Sequence, residues 1–144
     1  MVQDADFIYV DLHGDPQGTV WYGDDEMVTV TARQLRQVDV TGTVVFAANC
    51  YVGDQDSPMR RALFQAGARY VIAGEGRNYG PADGPLYGAP LVGLWLRRFL
   101  SMGVSVPRAL GAAKRIAAVR GGSAEIVSDV QTFAAYVGGD DGNV

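Results

Sequence analysis

Three short runs of almost uninterrupted apolar residues limit what this chain can become: Phe7–Leu12, Thr43–Ala48 and Tyr70–Ala73. Each is too short for a stable helix, and none shows the in-out alternation of a strand with one wet face. Strands that read this way are buried on both faces, which requires helices above and below a mainly parallel sheet. The intervening segments carry helix punctuation. Thr31-Ala32-Arg33-Gln34 has the form of a capping box, with a short helix expected to about Gln37. Ser57-Pro58 supplies an N-cap and a first-turn proline, so a helix is expected to Ala66, stopped by Gly67. Two further helices are expected over Pro90–Met102, stopped by Gly103, and Ser105–Val119, opened by Pro107 and closed by Gly121.

Between the first two apolar runs, Thr19–Tyr22 and Met27–Val30 flank Gly23-Asp24-Asp25-Glu26, a hairpin pattern. Thr132–Val137 is expected to be a last strand. The fold class is therefore α/β. A single domain is expected over residues 1–144, with its core at 6–138 and a flexible tail at 139–144. The fifteen residues 74–88, rich in glycine and holding Pro81 and Pro85, read as a long loop, and such loops are usually functional.

Charge narrows the partners. With 12 basic against 16 acidic side chains the net charge is −4, and the basic residues are scattered, so neither nucleic acid nor an anionic membrane is expected as partner. No apolar run approaches the ~20 residues that cross a bilayer. The acidic start Met1–Asp6 lacks the basic region of a signal peptide. One cysteine cannot form an internal disulfide, and a reducing, cytoplasmic setting is expected. One cysteine and one histidine do not make a structural zinc site, which takes four such ligands, so no metal or other cofactor is expected. The run Gly74–Gly80 lacks the Gly-Lys-Ser/Thr of a phosphate-binding loop.

The single histidine and single cysteine stand in equivalent places. His13 follows the first apolar run and Cys50 follows the second. In parallel sheets chemistry collects beyond the C-terminal ends of the strands. If the two strands are neighbours, both side chains emerge at one rim. A thiol nucleophile needs a nearby base, and imidazole serves at neutral pH. Glycines follow both residues, Gly14 directly and Gly53 three positions on, and glycine lets backbone N–H groups approach a ligand. The N–H groups of Gly14 and Cys50 could then form an oxyanion hole.

Ile8-Tyr9-Val10-Asp11-Leu12-His13-Gly14 resembles the strand-His-Gly of the caspase-like cysteine peptidases, and Val44 to Gly53 resembles their strand-Cys-x-x-Gly. The likeness is closest to the CHAT domains of that group. Val30–Leu35, Phe64–Ala73, and Phe99–Gly103 followed by Ala109-Leu110 and Ala112-Ala113 are similar to further CHAT stretches, in order, over residues 7–139. The resemblance implies a caspase-like sandwich and a cysteine endopeptidase. In that reading Cys50 is the nucleophile, His13 the base, and the Gly14 and Cys50 N–H groups bind the oxyanion of a peptide substrate. It also implies a charged specificity pocket, for which Asp54, Glu75, Arg77 and Asp83 are candidates; a Glu75 or Asp83 lining would select Arg or Lys at the cleaved bond, and an Arg77 lining an acidic residue, with basic favoured.

The sequence departs from the family in three places. The family's one or two strands ahead of the histidine strand have no counterpart here, so a sheet shortened at its N-terminal side is expected. Its open edge would pair with a second copy or a partner chain. Gly74-Glu75-Gly76-Arg77 stands where CHAT members often carry tryptophan. The connection from Cys50 to Ser57 is too short for an activation-cleavage linker. Two other readings compete. One is a catalytically inert caspase-like module used for binding or regulation. The other is an unrelated flavodoxin-like binding domain with the long loop as its lid, in which Cys50 is buried and His13 is distant.

Overall fold

The computed structural model describes residues 7–81, 83–120 and 122–138. The readings made of residues 1–6, of Gly121 as a helix stop and of the tail 139–144 lie outside these residues. In chain order the elements are β1 (Phe7–Val10), β2 (His13–Gly14), β3 (Val20–Tyr22), β4 (Val28–Thr31), α1 (Ala32–Leu35), β5 (Val44–Ala47), α2 (Pro58–Gln65), β6 (Tyr70–Ala73), α3 (Gly88–Ser101), α4 (Val106–Arg120), α5 (Ala124–Thr132) and β7 (Ala134–Val137).

The protein is mixed α/β. Its main sheet has the order β1-β5-β6-β7 and is mostly parallel: β1, β5 and β6 run together and only β7 is antiparallel. Side chains alternate across the central strands, and both faces are covered. Val44, Phe46 and Ile72 pack against α3, α4 and the Val130–Phe133 end of α5. Val45, Ala47, Val71 and Ala73 pack against Ala32 and Leu35 of α1, Met59, Ala62 and Leu63 of α2, and Trp21 of β3. Burial on both sides is why these strands read as continuous apolar runs. Phe46 is fully buried and stacks between Tyr9 and Phe133, with ring centroids 5.6 Å and 5.3 Å away. β1 lies at the sheet edge, and among the described residues no strand pairs with its outer side.

Both expected caps form. Thr31 Oγ1 accepts from Gln34 N–H (3.2 Å) while the Gln34 side chain accepts from Thr31 N–H (2.9 Å). Ser57 Oγ accepts from Arg60 N–H (3.3 Å) ahead of Pro58. The C-terminal segment differs from expectation. Thr132 ends a helix, α5, and the strand begins at Ala134. The β-branched residues Ile126, Val127, Val130 and Thr132 weaken helix propensity there. The helix forms because Ser123 caps Ile126 N–H and because it packs on α3 and α4. Trp21, buried, anchors a second sheet, β2-β3-β4, all antiparallel.

Candidate active site

The strand ends decide where the chemistry can lie. Val10 is level with Ala47, and Ala47 with Ala73, so the chain leaves β1, β5 and β6 at one rim. Ala48 N–H donates to Val10 O (2.8 Å), and Leu12 N–H donates to the buried Asn49 Oδ1 (3.3 Å). These bonds hold the segment before His13 against the segment before Cys50. Gly14 lies so close to the Cys50 carbonyl that a Cβ there would collide with the carbonyl oxygen, so only glycine fits.

His13 belongs to β2, which the sequence did not reveal as a strand. It pairs with Tyr22, and Gly14 pairs with Trp21. The loop that follows is fixed by the buried Asp15, whose Oδ1 accepts from Thr19 N–H (2.8 Å) and Val20 N–H (3.1 Å). The His13 side chain remains 69% exposed, and its Nε2 lies 3.5 Å from Asp24 Oδ1 in the β3–β4 turn.

Cys50 is half-buried and sits in a laced pair of loops. Gly53 N–H donates to Gly74 O (2.9 Å), Tyr51 N–H to Gly76 O (2.6 Å), and Asn78 Nδ2 to Asn49 O (2.7 Å). The steps of two along each chain form an antiparallel ladder whose last rung is a side chain. Gly76 N–H also donates to Asp54 Oδ1 (2.6 Å). Tyr51, beside the cysteine, holds a left-handed φ of 67°, a costly conformation for a residue with a side chain. Cys50 Sγ accepts from Asn78 N–H (3.4 Å) and lies 3.7 Å from Asn78 O. Cys50 N–H has no hydrogen-bond acceptor among the described residues.

Beneath this ladder lies Arg60, which the helix pattern of α2 did not single out. It is buried, and its guanidinium donates to the carbonyls of Val52 (3.3 Å), Gly53 (2.9 Å) and Asp54 (2.9 Å). It stacks 4.1 Å over the Tyr136 ring, and Tyr136 OH donates to Gly53 O (2.9 Å). The readable signal was an arginine three residues before the buried Leu63, on the helix face that meets the sheet. Asp129 of α5 was also missed. Its Oδ2 accepts from Tyr79 N–H (2.9 Å) and its Oδ1 is buried without a partner among the described residues. Burial pushes its carboxyl up to about 6, opposed in part by the Tyr79 hydrogen bond.

A cleft of about 500 Å³ opens at this rim, lined on one side by Asp11, Leu12, His13 and Asp24 and on the other by Cys50 and the 78–81 segment. His13 and Cys50 thus share one cleft, although no hydrogen bond joins their side chains. None of the expected pocket residues lines it. Asp54 receives Gly76 N–H, Arg77 Nε donates to Tyr51 OH (3.3 Å), and Glu75 and Asp83 are exposed. The carboxylates that do line the cleft are Asp11 and Asp24. Tyr9 OH donates to Asp11 Oδ2 (3.1 Å). Burial, then the Asp11 charge, raises the Tyr9 phenol well above its ordinary range, so it stays a donor.

Among the described residues no three His, Cys, Asp or Glu side chains come together as a metal site, and no helix is long and apolar enough to cross a membrane. Fold and site together define an α/β protein with a thiol and an imidazole at the C-terminal rim of its parallel strands. Compared with known proteins, the chain matches no family model, and no curated protein or solved structure is significantly similar to it.

Proposed function

We propose that the chain is a cysteine endopeptidase of the caspase-like, CHAT-related type. The observation that carries this reading is that His13 and Cys50 line one cleft at the shared strand rim. In this mechanism the Cys50 thiol gives its proton to His13, and the sulfur attacks the peptide carbonyl carbon. Gly14 and Cys50 N–H groups receive the oxyanion. The amine leaves with the proton from His13, giving a thioester. Water then attacks the thioester, its proton passing through His13, and the acid product leaves the restored thiol. A reducing compartment, the cytosol, suits such a nucleophile.

A basic residue at the cleaved bond is favoured over an acidic one, because Asp11 and Asp24 line the cleft and no Lys or Arg does. A second copy or a partner chain pairing along β1 fits the open edge.

The test uses fluorogenic peptides with Arg, Lys, Asp or Glu at the cleaved position, and irreversible peptidyl ketones followed by intact mass. Hydrolysis after Arg or Lys, lost in Cys50→Ala, is expected. Failure of every probe to modify Cys50, in the chain and in any assembly it forms, would replace this reading with the inert module. One contact favours that alternative: the His13 imidazole faces Asp24, 3.5 Å away, and is not hydrogen-bonded to the Cys50 sulfur.

A further inference from the structure

The geometry points to Asn78 as the positioning residue of the Cys50 sulfur. The inference deepens the peptidase reading and rests on it only for its consequence in turnover. Asn78 contacts the cysteine region through both its backbone and its side chain. Its N–H donates to Sγ (3.4 Å), and the thiol S–H lies against its carbonyl (3.7 Å). The first of these contacts fixes the direction of the sulfur from the Asn78 peptide plane. A backbone N–H can do this only if its peptide is held still.

The Asn78 carboxamide holds it. Nδ2 donates to Asn49 O (2.7 Å), the carbonyl of the residue immediately before Cys50, and closes the ladder begun by Gly53–Gly74 and Tyr51–Gly76. The other end of the carboxamide, Oδ1, is buried and has no partner among the described residues, so a single hydrogen bond sets its orientation. Gly74 provides the room. A Cβ there would lie 2.5 Å from Asn78 Oδ1, 2.8 Å from Phe133 and 2.9 Å from Thr132 Oγ1. The glycine on β6's exit therefore keeps a notch for the carboxamide that fixes the residue on β5's exit. Asn78 also lines the cleft, so the clamp lies where a substrate would contact it.

The experiment measures the rate at which Cys50 is modified by 2,2′-dipyridyl disulfide, which reacts in acid and at neutrality, with the site verified by intact mass. Asn78→Ala and Asn78→Asp are compared with the parent, with thermal unfolding followed in parallel. At neutral pH both variants are expected to react about tenfold more slowly, the equivalent of one net hydrogen bond. Asn78→Asp keeps the shape but replaces the donor with a charged acceptor facing Asn49 O. Its rate relative to the parent is expected to recover at acid pH, where the carboxyl carries a proton to donate; a merely structural defect does not follow this titration. Gly74→Ala fills the notch from the other side and is expected to slow modification as well, which covers the case in which Asn78→Ala fails to fold.

Parent-like rates in folded variants, or an Asn78→Asp ratio independent of pH, would overturn the inference. The labelling readout does not need turnover. Slowed labelling in a protein that hydrolyses no peptide sinks the peptidase reading and leaves Asn78 in its role. If the parent is a peptidase, the loss should fall on kcat rather than KM, and reduced turnover with unchanged labelling sinks the inference alone.

Discussion

The two walls of the cleft are built in opposite ways. The cysteine wall is laced: a backbone ladder, a side-chain rung, a buried arginine and a tyrosine hydroxyl all converge on residues 49–54. The histidine wall is light. His13 sits on a two-residue strand, mostly exposed, facing an exposed aspartate. A contact so exposed does little to hold the imidazole in place. A nucleophile whose angle of attack must be held gains from the first design. A base that has to take a proton and return it tolerates the second.

The largest effect expected from breaking this comparison lies on the light wall. His13→Ala should lower peptide hydrolysis by about 10²–10⁴-fold, the usual contribution of a general acid-base. Folding stability should stay within about 0.5 kcal/mol, as for surface substitutions. Urea unfolding beside fluorogenic hydrolysis separates the two; a destabilisation well above that range would mean that His13 is part of the scaffold.

The laced wall should behave in reverse. Arg60→Met takes the guanidinium from the carbonyls of Val52 and Asp54, leaves Gly53 O with the Tyr136 hydroxyl, and removes the contact with the Tyr136 ring. A loss of roughly 2–4 kcal/mol is expected from two backbone acceptors left without their donor. Arg60→Lys should recover only part of it, since an ammonium does not stack flat on the Tyr136 ring as the guanidinium does. A midpoint shift in urea worth less than about 1 kcal/mol for Arg60→Met would erase the contrast between the walls.

The smallest effect sharpens the loop that completes the laced wall. Asp129 carries a folded value of about 6, above the ordinary 3.8, so the folded chain binds its proton more tightly than the unfolded chain does. That contribution is fully present below about pH 4 and is lost as pH rises through about 6. Asp129→Asn keeps an oxygen for Tyr79 N–H and carries no charge. It should flatten this part of the stability-pH curve, measured by urea unfolding from pH 4 to 8. An unchanged slope would mean that another group produces it.

Much of the frame was legible before any coordinates. Continuous apolar runs specified the buried strands β5 and β6, whereas β1, read the same way, is a half-buried edge strand; Thr31-x-x-Gln34 and Ser57-Pro58 marked helix starts that form as read. Those signals are local: a cap needs residues three apart, and a buried strand advertises itself in its own composition. The placement of His13 and Cys50 after strands was legible for the same reason. The helix α5 was not, because β-branched residues obscured a periodicity that only packing against α3 and α4 rewards. Glu75, Arg77 and Asp83, expected at the pocket from their place in the order of elements after Cys50, turn to solvent or to Tyr51. Asp11 and Asp24 reach the cleft from β1's exit and the hairpin turn.

By itself, then, the sequence determined which segments become strands in the main sheet, where α1 and α2 begin, and that the one thiol and the one imidazole each follow a strand. The tertiary structure alone decided what each side chain faces. The hydrogen bonds joining Asn78 to Asn49, and the contacts joining Arg60 to Tyr136, link residues 29 to 76 positions apart. No pattern within a single strand or helix encodes such a distance. It is set when two loops, leaving neighbouring parallel strands at one rim, have to satisfy each other's backbone groups away from water.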